Sequence, residues 1–127
     1  AVSAPNLSVA GNMLADGAVL EATRDAFLAA PELPMADRLL HAMEAGQAAG
    51  GDARGRQAAA LMVASRDPYP DLDLRVDDHA DPLAELRRLL GVARERYVLF
   101  RRFLPGADHP GVFDRAWVER LLAAIDR

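Results

Sequence analysis

The sequence predicts an α+β domain in which a strand, two helices, two strands and two further helices follow one another. Alternating or continuous apolar runs mark the strands, and apolar residues spaced three and four apart mark the helices. Proline and glycine separate these segments. Four amphipathic helices need more sheet surface than three strands offer. We therefore expect residues 1–127 to form a single unit that is part of a larger domain.

The first half of the chain predicts a strand over residues 7–14, a helix over residues 16–30 and a helix that begins at Pro34. Asp16 is suited to cap the first helix, because a side-chain oxygen there can accept from the first free backbone amides. Pro31 ends that helix. Gly50 and Gly51 end the second helix and open a polar, glycine-rich loop.

Two strands are predicted in the middle of the chain. Residues 58–64 are apolar without alternation, which favours a strand buried on both faces, although the alanines also permit a helix. Residues 72–78 alternate, with Leu72, Leu74 and Val76 on one face. The short proline-rich turn between the two runs predicts an antiparallel pair.

The second half predicts two helices. Asp81 and Pro82 begin a long one, as N-cap and first helical residue. Its apolar stripe is Leu83, Leu86, Leu90, Ala93, Tyr97, Phe100 and Leu104. This stripe indicates a helix that covers a sheet, and a helix–helix contact between two copies stays open as the alternative. Asp114 caps the last helix, whose predicted buried face is Val118, Leu121, Leu122 and Ile125, with Trp117 beside it.

Composition excludes several chemistries. All 15 basic residues are arginines and the net charge is −4, so we expect no nucleic-acid partner. Without cysteine or lysine there is no thiolate nucleophile, disulfide, Schiff-base lysine or lysine-bearing phosphate loop. No apolar run is long enough to span a membrane. An arginine- and alanine-rich chain is typical of a GC-rich bacterium, and the cytoplasm is the default expectation for its location.

Three polar motifs carry a resemblance to a known family. They are Val9-Ala10-Gly11-Asn12-Met13-Leu14-Ala15, the stretch from Gly50-Gly51-Asp52 through Arg54-Gly55-Arg56-Gln57 to Ala59, and Tyr69-Pro70-Asp71-Leu72-Asp73-Leu74-Arg75-Val76-Asp77-Asp78-His79. In order and spacing they resemble a bacterial family of unassigned function that is similar to the N-terminal-nucleophile (Ntn) hydrolases. The resemblance implies an αββα sandwich of four layers, of which this chain is the C-terminal portion. It also implies that the nucleophile lies in a preceding segment.

The loop over residues 50–57 is the first candidate site. Its glycines let backbone N–H groups approach a ligand, Arg54 offers a planar fork for a carboxylate, and Asp52 is placed to orient it. The resemblance adds substrate binding by Asp52 and Arg54, with Gln57 as a brace. The structural alternative is that the glycines end a helix and that the Asp–Arg pair holds a turn.

Two further candidates are weaker. The resemblance implies an oxyanion role for Asn12, whereas Gly-Asn also closes a strand in a tight turn. Four carboxylates and His79 over residues 71–79 could bind a hard cation. Their spacing is that of an alternating strand, so a solvated face with cross-strand ion pairs is favoured. We expect no metal and no cofactor.

The resemblance implies a fragment of an Ntn-type hydrolase that cleaves amide bonds and acts on a small amide-type substrate. Neither Ala1 nor the internal Ser3 can serve as its N-terminal nucleophile. A companion polypeptide would supply that residue and the remaining strands. The alternative is a non-catalytic assembly module that forms a homo-oligomer through an exposed sheet or the long helix.

Overall fold

A computed structural model describes residues 1–112 and 114–125. Its elements in chain order are β1 (Val2–Ala4), β2 (Leu7–Val9), α1 (Ala18–Ala29), α2 (Met35–Ala48), β3 (Ala59–Val63), β4 (Leu72–Val76), α3 (Pro82–Glu95), α4 (Tyr97–Phe100), a 3₁₀ turn (Arg101–Phe103) and α5 (Arg115–Ile125). The strands form two separate antiparallel hairpins, β1–β2 and β3–β4. The described chain is therefore a mixed α+β domain, as predicted at the level of class. None of its described helices is long and apolar enough to cross a membrane.

The first hairpin differs from the single strand predicted over residues 7–14. Strand β2 ends at Val9, and Val2 pairs with Val9 across the hairpin. Pro5 and Asn6 form the turn, with Asn6 in the left-handed region at φ 59°. Proline followed by a left-handed asparagine suits a tight turn of type II. The prediction was wrong because the apolar run continues past the point where pairing stops.

Helices α1 and α2 lie against each other at a close contact. Gly46 of α2 faces Thr23 of α1, and a Cβ added at Gly46 would come within 2.3 Å of the Thr23 hydroxyl. That hydroxyl donates to the Val19 carbonyl at 2.8 Å. Arg38 Nε donates to the Phe27 carbonyl at 2.6 Å and joins the end of α1 to the start of α2. The two helices therefore form one scaffold.

The second hairpin supplies most of the sheet surface in the core. Leu61 pairs with Leu74 in the predicted antiparallel arrangement. The buried cluster consists of Leu40, Leu61, Leu72, Val76, Leu86, Leu90 and Ala93, from α2, both strands and α3. The prediction that β3 is buried on both faces is wrong, since Met62 is 60% exposed. Helices cover only the face that carries Leu61.

Helix α3 begins as predicted but ends early. The Asp81 side chain accepts from the Ala84 amide at 3.1 Å, and Pro82 occupies the first turn. The expected continuous helix to Leu104 is interrupted at Arg96, whose backbone is not helical. The following segment is held instead by Arg101, which forms ion pairs with Asp67 and Asp71 in the β3–β4 loop.

The interruption changes which aromatic residues are buried. Phe103, which is not part of the predicted stripe, is only 5% exposed and packs on Trp117 at a ring-centroid distance of 4.1 Å. Tyr97 and Phe100 of the stripe are exposed. Asp114 caps α5 by accepting from the Ala116 amide at 2.9 Å, as predicted.

The predicted buried face of α5 is only partly present. Val118 is half-buried, but Leu122 is exposed, so its predicted burial is wrong. Phe103 contacts the Trp117 side of this helix. The side chains of Leu121 and Ile125 lie outside the described part of the structure.

The chain exposes more surface than a compact monomer of its mass would. The chain exposes 8265 Å², whereas a compact monomer of 13.7 kDa exposes about 6,600 Å². The two hairpins do not merge into one sheet, and within residues 1–112 and 114–125 each strand has a single partner. Each hairpin therefore keeps an unpaired edge.

Candidate functional site

The loop between α2 and β3 begins with a helix C-cap. Gly50 and Gly51 adopt positive φ angles of 127° and 60°. Their amides donate to the carbonyls of Gln47 and Gly46, both at 3.1 Å. A Cβ at Gly51 would approach the Gln47 amide group to 2.8 Å. The structural reading of these two glycines is therefore correct, because the end of α2 requires them.

Asp52 and Arg54 form a closed pair at the centre of the loop. The Asp52 carboxylate accepts from Arg54 Nε at 2.9 Å, from Nη2 at 2.6 Å and from the Arg54 backbone amide at 2.8 Å. These hydrogen bonds, the side-chain ones first, lower the pKa of Asp52 to about 2. The carboxylate therefore stays ionised at neutral pH. It can orient Arg54 but is a poor proton donor or acceptor.

A short bridge ties this loop to the first hairpin. Leu14 pairs with Asp52, and the Ala53 amide donates to the Met13 carbonyl at 2.8 Å. Asn12 precedes this bridge in an exposed bend, and Met13 has a left-handed φ of 53°. This is the tight turn that was the alternative reading for Asn12. The bridge holds Asn12 beside the loop, but its oxyanion role remains a prediction.

A groove of about 900 Å³ lies between the two hairpins. It brings together Asp52, Arg54 and Gln57, all three predicted from sequence, but Asn12 is not among its lining residues. Gln57 was predicted to brace the pocket, and that role stays a prediction. Its side-chain amide donates to Asp78 at 3.1 Å, which ties the loop to the end of β4.

Sequence reasoning missed the other walls of the groove. The helical wall is apolar and is formed by Val19, Leu20, Thr23, Met43 and Gly46, together with Leu14 from the bridge. Arg56 adds a second cation to the loop side, with its Nη2 3.3 Å from Asp81. The two arginines that flank Gly55 could have indicated from the sequence that this side of the groove is basic. The helical wall gave no local signal, because it is assembled from separate elements.

The acidic strand carries no metal site in the described residues. No group of three or more histidine, aspartate or glutamate side chains there is arranged to hold an ion. Arg75 donates to Asp77 at 2.7 Å along the same strand, and both side chains are exposed. Asp71 instead faces Arg101 and accepts from the Ser65 hydroxyl at 2.7 Å. This face is solvated and carries an ion pair, but the Arg75–Asp77 pair lies along one strand and is not the predicted cross-strand pair.

The fold and the groove define a small α+β domain with a concave site between two antiparallel hairpins. Residues 1–86 match a family described as "Family of unknown function (DUF1028)". The chain belongs to this family. Every residue that lines the groove lies within the matched segment, whereas α4 and α5 lie beyond it.

One solved structure provides a close comparison. The chain is similar to the crystal structure of protein SPO2555 from Silicibacter pomeroyi, a DUF1028 protein, with 36% sequence identity and a TM-score of 0.69 over 82% of this chain. The chain spans 46% of the length of that structure. A comparison with curated proteins found no match.

Proposed function

We propose that the groove is part of the substrate site of an Ntn-type hydrolase that cleaves amide or related bonds. The observation that carries this proposal is the groove itself, where an apolar wall faces a loop with an oriented arginine. Small-molecule sites combine such a wall with a few fixed polar groups. In the resembled architecture, further strands and helices complete four layers around this site.

In this proposal, four described side chains take different roles in the reaction. Arg54 is held by Asp52 through two of its five N–H groups, which leaves others to donate to a substrate oxygen. Asp52 is a positioning residue, because its depressed pKa keeps it ionised. Gln57 supports the loop through Asp78. Asn12 is the candidate donor to the oxyanion, from the bend that the bridge holds beside Ala53.

The nucleophile and base come from a companion polypeptide in this proposal. Its terminal hydroxyl adds to the amide carbon and passes its proton through the α-amino group to the leaving amine. Water then cleaves the resulting ester and restores the hydroxyl. A nucleophile and base from the companion are consistent with the state of Asp52, which is ionised, paired with Arg54 and unsuited to either proton transfer.

The test is an assay on chromogenic acyl-amide substrates. The chain is assayed alone and mixed with the part of the S. pomeroyi protein that it does not span. We expect turnover only in the mixture, and Arg54→Ala should lower kcat/KM about tenfold to a hundredfold because substrate orientation is lost. Arg66→Ala is the matched control, since Arg66 is exposed and pairs only with the exposed Asp108 in the described structure. A mixture that forms a complex but shows no turnover would contradict the proposal.

A second candidate function is assembly without catalysis. It is favoured by exposed aromatic side chains at the end of the chain, namely Tyr97, Phe100 and Trp117. Aromatic and arginine side chains are enriched at protein interfaces. If this function is correct, the chain alone sediments as a homo-oligomer, and Phe100→Ser shifts it to the monomer.

A further inference from the structure

The turn between β4 and α3 (the β4–α3 turn, residues 77–81) holds the loop side of the groove from outside. The His79 amide donates to the Gln57 carbonyl at 2.9 Å. The Gln57 side chain donates to Asp78 at 3.1 Å. Gln57 lines the groove, whereas no residue of the turn does. The position of Gln57 therefore depends on the shape of this turn.

Asp81, the last residue of the β4–α3 turn, connects the loop to α3. Its carboxylate accepts from the Ala84 amide at 3.1 Å as the N-cap of α3, and Arg56 Nη2 lies 3.3 Å from the same carboxylate. The backbone amide of Asp81 donates to Nδ1 of the His79 ring at 2.9 Å. The ring therefore fixes the residue that serves both the helix and the loop.

The hydrogen bond from the Asp81 amide requires a neutral His79 ring. A neutral imidazole that carries its proton on Nε2 has a free lone pair on Nδ1, whereas a protonated ring donates from both nitrogens. Nδ1 lies equally close, at 2.9 Å, to the Asp81 carbonyl oxygen. That carbonyl already accepts from the Glu85 amide at 3.1 Å, the first hydrogen bond of α3. A protonated ring would turn to this carbonyl and leave the Asp81 amide without its acceptor.

Protonation of His79 also meets opposing electrostatic forces. The charged groups of the β4–α3 turn and of the elements that it contacts are Asp77, Asp78 and Asp81, Arg56 in the loop, and Glu85 with its partner Arg88 in α3. A cation beside the N-terminus of α3 is unfavourable, because the helix dipole is positive there. The Glu85 carboxylate attracts a positive charge on His79. Since histidine ordinarily gains its charge between about pH 5 and pH 8, a small fall in pH can move the ring from the amide to the acidic groups.

We propose that His79 is a positioning residue of the groove, whose neutral ring holds the β4–α3 turn in the shape that fixes Gln57 and Arg56. Protonation of the ring releases the Asp81 amide and loosens this side of the groove. The loop is therefore ordered above the midpoint of the His79 titration and less ordered below it. This hold on the loop is independent of the reaction, and only its effect on turnover rests on the proposed function.

NMR of the intact, isotope-labelled chain tests the state of the ring. Above its midpoint, we expect the His79 ring to carry its proton on Nε2 and to accept at Nδ1. As the pH falls, the side-chain amide of Gln57 and the backbone amide of Asp81 should shift with the midpoint of the His79 ring. The Asp81 amide should lose about threefold to tenfold of its protection from hydrogen exchange, the effect of one hydrogen bond.

His79→Asn separates the titration of the ring from its structural role. An asparagine oxygen accepts the Asp81 amide from nearly the position of Nδ1 but does not titrate, so the Gln57 and Asp81 signals should keep their high-pH state between about pH 8 and pH 5. His79→Ala should show the loosened state throughout. His109→Asn is the matched control, because the His109 ring also accepts a backbone amide, from Gly111 at 3.2 Å, but does not line the groove. Its Gln57 signal should titrate as in the unchanged chain.

Three results would overturn the inference. They are a His79 ring that carries its proton on Nδ1 at high pH, Gln57 signals that do not follow the His79 midpoint in the unchanged chain, and the same pH response in His79→Asn. Because these measurements need neither the companion polypeptide nor a substrate, failure here is distinguishable from failure of the hydrolase proposal. Where the mixed proteins show turnover, the pH profile of kcat/KM should lose the His79 midpoint in His79→Asn, and a retained midpoint would also count against the inference.

Discussion

The two hairpins of this domain differ in what covers them. Strands β3 and β4 place Leu61, Leu72 and Val76 in the core beneath α2 and α3. The hairpin of β1 and β2 has half-buried and exposed residues only, and it contacts α1. A short, isolated hairpin is marginally stable in water. The β3 side of the groove is therefore anchored in the core, whereas the β2 side depends on α1 and on the bridge to Asp52.

The largest expected effect tests this contrast directly. Leu61→Ala should lower the free energy of unfolding by about 2–5 kcal/mol, because it leaves a cavity under two helices. Val9→Ala in the first hairpin should lower it by less than about 1 kcal/mol, because Val9 is only half-buried. Both free energies of unfolding are measured by urea denaturation and are compared at an unchanged m value, the slope of free energy against urea concentration. Equal losses would show that the hairpins are equally anchored.

The contact between α1 and α2 gives an intermediate effect. Gly46→Ala should destabilise the chain by about 1–3 kcal/mol, because the new methyl group collides with the Thr23 hydroxyl. Adding Thr23→Ala should recover much of this loss. Gly91→Ala in α3 is the control, since a Cβ there meets nothing within 4 Å and should stabilise the helix by roughly 0.5–1 kcal/mol. Thermal unfolding compares the variants, and a neutral Gly46→Ala would refute the close contact.

The smallest effect concerns the pH dependence of the loop. The pKa of Asp52 is lowered from 3.8 to about 2 by Arg54. A depressed folded-state pKa means that the stabilisation is fully present above pH 3.8 and is lost as the pH falls through 2. The gain is small because the pair is exposed. Carboxyl NMR should show the low midpoint in the native chain and a rise in Arg54→Gln. An unchanged midpoint in that variant would remove Arg54 as the cause.

Local signals made much of the fold predictable. The N-cap of α3 was found because Asp81 and Pro82 are adjacent to the first periodic residue. The β3–β4 pair was found because Leu72, Leu74 and Val76 alternate. The first hairpin was missed although Pro5 and Asn6 carry a turn signature. The apolar residues that follow them concealed where pairing ends.

Tertiary contacts account for the remaining misses. The interruption at Arg96 is accompanied by the attachment of Arg101 to Asp67 and Asp71, which are distant in sequence. The loop side of the candidate site was predictable because Asp52 and Arg54 are neighbours. The helical wall of the site was not predictable, because no periodic pattern in the sequence shows that parts of α1 and α2 line the same groove.

The attachment of Arg101 also couples distant parts of the molecule mechanically. Arg101 Nη2 lies 2.8 Å from Asp67, and Asp67 also accepts from the Ala107 amide at 2.7 Å. The tip of the β3–β4 hairpin thus holds the segment that carries Phe103. Trp117 packs against Phe103. Trp117 is the single tryptophan of the chain. The fluorescence emission of Trp117 would therefore report any tilt of that hairpin.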